Sequence, residues 1–414
     1  MSALVRPFSV PGSPPPFRVV RADGSSVYDA AGRRYISAAG GLWNMMLGWN
    51  HPRVLSAMQA QLGKMAYSSL FEDTHSLAEQ LAEKLVAMSD GMMSYAYLST
   101  TGSSAVEVAI RTSRLYHRVS GRPDRRTVLS YDLGYHGCSS IAVGASGLMQ
   151  ADVVRWEGAV PDVEFIPAPV DEVASLEAIA MVLAARAGSV AAVLAEPVLG
   201  SGGIIVPSRA YGVALSDLCR RYGVLLIADE VATGGGRCGA IYASPLVGLR
   251  PDILCLSKGL SAGYFPLGAT LFSKTVMTPL AQSGIPIQYG STQDGNPVGC
   301  VAALTALEVL EESRLPERAT RLGHEIRDEL RPLIGPYVRD IRGLGLMIGI
   351  ALSHANGTAY TEQESAEVRG LCREEGLLVY HFDGGISLFP PLTISDDDKA
   401  DMVDMLTSVL SRLC

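Results

Sequence analysis

The chain has no Cys-x-x-Cys pair, no surplus of positive charge and no unbroken apolar run of the roughly 20 residues a membrane helix needs. Lys and Arg number 34 against 42 Asp and Glu, a net charge of −8. Nucleic acid is therefore a poor partner, because phosphate backbones recruit basic faces. The seven cysteines (Cys138, Cys219, Cys238, Cys255, Cys300, Cys372 and Cys414) are odd in number and lack zinc-ligand spacing. They predict reduced thiols in a cytoplasmic protein, with no disulfide framework and no metal site. The N-terminus runs from Met1 into Pro14-Pro15-Pro16 without an apolar signal core. With these classes set aside, the balance is globular: 48% hydrophobic and 18% charged residues over 414 positions. At about 100–200 residues per domain, that length suggests two or three domains.

The apolar pattern gives the organisation. Residues 1–18 read as an extended Pro-rich arm. Asp23-Gly24 and Ala31-Gly32 punctuate short strands of a meander. Residues 52–64 and 74–88 have helical periodicity. From about 93 to 273, short apolar runs alternate with helical segments, which predicts a parallel sheet covered on both faces. Its strands are expected at Ser94–Leu98, Thr127–Ser130, Ala191–Ala195, Val224–Ala228 and Asp252–Leu256. Two helices follow, over Pro297–Ser313 and Glu317–Leu330, then a strand over Leu346–Leu352 and a last helix near 396–412. The expected division is an N-terminal segment 1–65, a large domain 66–300 and a smaller α+β domain 301–414.

Chemistry gathers at the carboxyl ends of those strands, where ligands of open α/β sheets bind. Lys258 follows the fifth strand in the run Ser257-Lys258-Gly259. Asp229-Glu230 closes the fourth, an acidic pair that is costly to bury unless a cation meets it. A protonated pyridine nitrogen is such a cation. Either residue alone is weak evidence; each at the end of its own strand is much stronger. Thr101-Gly102-Ser103-Ser104 precedes a helix expected to begin near Ala105, with Ser104 and Glu107 at capping-box spacing. The amides of Gly102 and Ser103 would face an anion there. Tyr135-His136-Gly137 follows the second strand, so Tyr135 could cover one face of an aromatic ring and Val231 the other.

In this order the motifs resemble the class-III aminotransferases of the pyridoxal 5'-phosphate (PLP) fold-type I group. Further marks are Glu196-Pro197, Gly290-Ser291-Thr292, Gly295-Asn296-Pro297, Arg342-Gly343 and Pro390-Pro391-Leu392. The resemblance runs from about Arg18 to Leu410. It implies an α/β fold with a mixed, mostly parallel sheet flanked by helices, and a smaller α+β domain built from both chain ends. It further implies that Lys258 carries the cofactor as a Schiff base and shuttles a proton as general acid and base. Asp229 would hold the pyridine nitrogen, while Gly102, Ser103 and Ser104 hold the phosphate. Tyr135 would stack on the ring, with His136, Glu196 and Val231 around it. Ser291 and Thr292 would reach the phosphate in the neighbouring subunit of a homodimer. Trp43, Tyr135 and Tyr380 would face the substrate, an amine donor and then a carbonyl acceptor.

Within the class, Trp43, Gly48-Trp49-Asn50-His51-Pro52, Ala228–Gly234 and Pro251–Leu256 resemble the diaminopelargonic acid aminotransferases. Two positions depart from carboxylate-binding relatives: Tyr380 stands where an Arg aligns, and Ser201 where ornithine- and aminobutyrate-type members carry a Glu. Losing both partners together is coherent, because a buried Glu without its Arg would be expensive. A less acidic or bulkier substrate, as in specialised metabolism, fits this loss, whereas the local motifs alone would imply biotin-like metabolism. The residues themselves leave open an aminomutase, an epimerase or racemase, or a decarboxylase, because Lys258 and Asp229 look alike in all of them; a non-catalytic PLP binder is the third alternative, and the intact Lys258 and Asp229 pair argues against it.

Overall fold

A computed structural model describes residues 3–13, 17–156 and 158–413. The triple proline of the N-terminal arm lies outside the described residues. The large sheet has seven strands, in the order Tyr95–Ser99, Gly268–Phe272, Ile253–Leu256, Leu225–Asp229, Val190–Ala195, Thr127–Tyr131 and Val163–Ile166. Strand Gly268–Phe272 is antiparallel to both its neighbours, and the five beyond it are parallel. Every residue of Val190–Ala195, Leu225–Asp229 and Ile253–Leu256 is buried, as expected for strands with helices on both faces. The five expected strands are present within a residue or two at each end. Val163–Ile166 and Gly268–Phe272 were not foreseen.

Helix Gly102–Val119 packs under this sheet through Val106, Val108, Ala109 and Ile110. It begins three residues earlier than the sequence suggested. Thr101 is the N-cap, its hydroxyl accepting from the Ser104 amide at 3.0 Å. The expected capping box at Ser104 and Glu107 is not made, because Glu107 accepts instead from the Ile141 amide at 3.1 Å. One N-cap hydrogen bond of this kind contributes about 1 kcal/mol. The earlier start puts Gly102 and Ser103 inside the first turn of the helix itself.

Two smaller sheets join the chain ends. The meander Arg21–Asp23, Ser26–Tyr28 and Arg34–Ser37 is extended by Leu377–Leu378, parallel to Arg34–Ser37. An antiparallel sheet runs Val338–Leu344, Met347–Leu352, Gly385–Leu388 and Tyr380–Phe382. Helices Pro297–Glu312 and Leu315–Leu330 bridge these to the large sheet through one continuous apolar cluster. No described helix is long and apolar enough to cross a membrane.

Candidate active site

Strand pairing places the acid beside the lysine. Asp229 is in register with Cys255, three positions before Lys258. Both side chains line one cavity of about 160 Å³ with Trp43, Gly102, Ser103, Tyr135, His136, Gly137, Glu196, Ser201, Val231, Ala232 and Ser257. Of the residues singled out from sequence, Ser104, Ser291, Thr292 and Tyr380 do not line it. The Ser104 hydroxyl pairs with that of Thr101 at 2.8 Å. Tyr380 stands one ring behind, edge-on to Trp43 at 5.0 Å. Ser291 opens a turn in which its amide donates to Asp294, and Thr292 is exposed. That turn borders a separate open groove of about 960 Å³ lined by Phe71, Tyr97, Arg111, Tyr289 and Gly290.

Asp229 is 4% exposed. Its Oδ2 lies 2.7 Å from His136 Nδ1, and its Oδ1 accepts from the Val231 amide at 3.0 Å. To donate to a carboxylate, His136 must carry its proton on Nδ1. Its Nε2 is buried without a protein partner. Glu230 leaves the cavity, which corrects the view of the two acids as a pair awaiting one cation. Neighbouring strand residues face opposite ways. Glu230 accepts instead from the amides of Ala243 and Ser244 and from the Ser244 hydroxyl, at 2.6–2.7 Å. Burial raises its pKa, and these hydrogen bonds oppose the rise.

Lys258 has a positive φ of 26°, on a 3-10 turn that leaves the strand end. A non-glycine residue held there stores roughly 1–3 kcal/mol of strain, a cost typical of reacting positions. Its Nζ lies 4.5 Å from the centroid of the Trp43 ring. Burial lowers its pKa, with Asp229 and Glu196 pulling the other way. The result is an amine closer to its neutral, nucleophilic form than a free lysine. Glu196 is held by the amides of Tyr135 at 3.0 Å and Gly200 at 2.9 Å, so it ties two cavity loops together. Burial is the main cause of the raised Tyr135 pKa, and its hydroxyl lies 3.0 Å from Cys138 Sγ.

Two site features were not legible beforehand. Phe389 stacks on Trp43 at 4.3 Å and 11°, backing the cavity wall. Gly200 lets that wall close: a Cβ there would stand 2.8 Å from the Trp43 ring. The only sequence signal was the Pro390-Pro391 pair beside Phe389.

Comparison with known proteins adds the family. The model for class-III aminotransferases matches residues 8–410. A probable gamma-aminobutyrate transaminase 2 of Oryza sativa subsp. indica is 30% identical, over 95% of this chain and 84% of its own length. An uncharacterized aminotransferase of Bacillus subtilis (strain 168) is 32% identical, over 92% and 89%. The crystal structure of a PLP-bound amine transaminase from an uncultivated Pseudomonas species superposes with a TM-score of 0.94. It is 33% identical and covers 100% of this chain and 99% of its own. An (S)-enantioselective omega-transaminase from Thermomicrobium roseum follows, with a TM-score of 0.90, 30% identity, and 96% and 93% covered.

Proposed function

Because the chain belongs to the class-III aminotransferases and is a PLP enzyme of fold-type I that transfers amino groups, we propose that its cavity selects amines and carbonyl compounds lacking a carboxylate distal to the reacting carbon. The observation that carries this reading is the cavity lining. Beside the reacting lysine stand Trp43, Tyr135 and Ser201, and among the described residues no arginine lines the cavity. A distal carboxylate entering there would lose water without gaining a bidentate partner. The relatives' transaminase names favour amino transfer over mutase, racemase or decarboxylase chemistry.

The residues present fit the cofactor. A buried acid, a lysine of lowered pKa and a helix N-terminus meet in one cavity, and Gly102 leaves room where a side chain would strike Val231. Bound there, PLP supplies the electron sink for a carbanion at the substrate carbon. Asp229 would hold the ring nitrogen, and the His136 hydrogen bond fixes the carboxylate that would do so. Gly102 and Ser103 would hold the phosphate at the first turn of their helix, where the dipole contributes about 0.3–1 kcal/mol. Tyr135 and Val231 would wall the ring. Lys258 Nζ would remove the substrate proton and return it.

The finer assignments are part of the same proposal. Ser291 and Thr292 reach a neighbouring subunit's phosphate in a homodimer, a reading supported by Thr292 being exposed beside an open groove. The division at 65 and 300 is supported by the sheet that joins Arg34–Ser37 to Leu377–Leu378. Cytoplasmic residence is supported by the six cysteines among the described residues, which form no disulfide. The likeness to diaminopelargonic acid aminotransferases stays with the local motifs around Trp43 and Asp229, since Tyr380 replaces the carboxylate-binding Arg.

The test is a half-reaction. Benzylamine, added alone to the PLP-loaded protein, should bleach the cofactor's visible band at least about tenfold faster than glutamate or 4-aminobutyrate at equal concentration. An aldehyde should restore the band. Tenfold corresponds to about 1.4 kcal/mol, less than the cost of one unpaired buried charge. Glutamate as the fastest donor would overturn the substrate class.

A second expectation concerns the phosphate end. In Gly102→Ala the new Cβ would lie 2.8 Å from Val231 Cγ1. Val231 must shift, and the amide turn with it. PLP affinity should fall about tenfold, or about 1.4 kcal/mol, with the melting temperature of the cofactor-free protein changed little. Equilibrium titration of the cofactor-free protein with PLP reads this directly. An unchanged Kd would place the phosphate elsewhere.

A further inference from the structure

Arg237 is fully buried, the largest side chain among the described residues to be so. A buried guanidinium is expensive unless an acid meets it, and none does among the described residues. Its Nη1 donates to the carbonyls of Pro390 and, at 3.3 Å, Leu346. Its Nε and Nη2 have no partner. Burial pushes its pKa down to about 9. A cation retained at such cost, away from the cavity lining, needs an explanation other than net stability.

The explanation lies in what it touches. The guanidinium carbon sits 5.9 Å from the centroid of Phe389, within cation–π range. Phe389 stacks on Trp43, and the opposite contact of Trp43 is Lys258 Nζ at 4.5 Å. The loop that carries Trp43 is not regular helix. Gly40, Gly41 and Trp43 have φ values of 53°, 69° and 67°. Its backbone is pinned by the Trp43 amide donating to Ala39 at 3.1 Å, and the stack beneath fixes the plane of the ring. The Phe389 amide donates to Ala38 at the start of the loop, the Leu392 amide donates to Met46 just past it at 2.7 Å, and Arg237 grips the carbonyl of Pro390 between them. Gly40 is what lets the two segments meet, since a side chain there would collide with the Phe389 carbonyl.

We propose that Arg237 is a positioning residue for amino transfer: it clamps the Phe389–Pro390 segment, so that Trp43 presents one fixed ring face to the Lys258 amine. This rests on Lys258 and Asp229 being the reacting centre. The chain of contacts runs from guanidinium to Phe389, from Phe389 to Trp43, and from Trp43 to the amine. Loosening either of the first two should move the amine by a fraction of an ångström. Misplacements of about 1 Å cost up to about 100-fold in rate.

The experiment compares PLP-loaded Arg237→Met, Phe389→Leu and the double variant with the parent. Both singles should lower kcat about tenfold or more, with the donor KM changed less. Both should shift the pH midpoint of the cofactor's visible band. In the cofactor-free protein, both should weaken the near-ultraviolet circular dichroism of the tryptophans. The double should match the worse single, because both cut one chain of contacts. The melting temperature can rise in Arg237→Met, since replacing a buried charge by an apolar isostere often stabilises.

Parental kcat and band midpoint in Arg237→Met would overturn the proposal whatever the melting temperature does, as would fully multiplicative losses in the double. Should Arg237→Met not fold, Phe389→Leu decides: parental kcat and midpoint there overturn the proposal, and losses in both support it. A Lys258→Ala protein as active as the parent would instead remove the site itself. An inactive Lys258→Ala beside a parental Arg237→Met would remove only the positioning role.

Discussion

Lys258→Ala should lower turnover by at least about 1000-fold, the largest effect of any single substitution in this chain. Losing a positioned general acid–base costs roughly 100- to 10,000-fold by itself, and this lysine is also the nucleophile that holds the cofactor. No neighbour can take over. The other ionisable side chains lining the cavity are Tyr135, His136, Glu196 and Asp229. Burial raises the Tyr135 pKa and keeps that group protonated, His136 is engaged with Asp229, and the remaining two are acids. Borohydride reduction should add the mass of PLP to the parent chain and nothing to the variant. Lys258→Arg should be as inactive as Lys258→Ala, because a guanidinium keeps its proton near neutral pH. Turnover within tenfold of the parent in either variant would move the chemistry to another residue.

The lysine and the acid were visible in the sequence because each terminates a short, wholly apolar run. Strand ends are where chain direction and ligand position are both fixed. Other features were hidden for identifiable reasons. Asp229 and Glu230 read as one acidic pair, and only the alternation of the strand sends one into the cavity and the other to the amides of Ala243 and Ser244. Ser104 reads as the cap because Glu107 stands three residues after it; the same spacing separates Thr101 from Ser104, and Thr101 is the residue that caps. Gly268–Phe272 follows a loop rich in Gly and Pro and runs antiparallel, so the βαβ rhythm gave no reason to place a strand there. Arg237 was least legible of all. In the run Gly234-Gly235-Gly236-Arg237 it reads as a solvated loop residue, yet the structure buries it completely. Sequence pattern reports which residues prefer water; it does not report where a long-range fold overrides that preference.

Asp229→Asn tests the other half of the site and separates charge from shape. The amide is nearly isosteric with the carboxylate, so Oδ1 can still accept from the Val231 amide. What changes is the atom facing His136 and the ring nitrogen. At an effective dielectric near 20, a carboxylate and a cation about 4 Å apart attract by about 4 kcal/mol. Part of that is offset by the cost of burying both, so a loss of about 2–4 kcal/mol in transition-state stabilisation is expected. That equals a fall of about 30- to 1000-fold in kcat. PLP affinity should fall less, because the phosphate and the Lys258 link remain. The His136 contact adds a directional check. With an amide in place of Oδ2, the hydrogen bond at 2.7 Å requires His136 to accept through Nδ1 or the amide to turn its oxygen that way. Either change reorganises the pair, so Asp229→Asn and His136→Phe should be non-additive in kcat. A single-turnover rate for Asp229→Asn within about threefold of the parent would show that the ring nitrogen does not need this charge, and the electrostatic account of the site would fail.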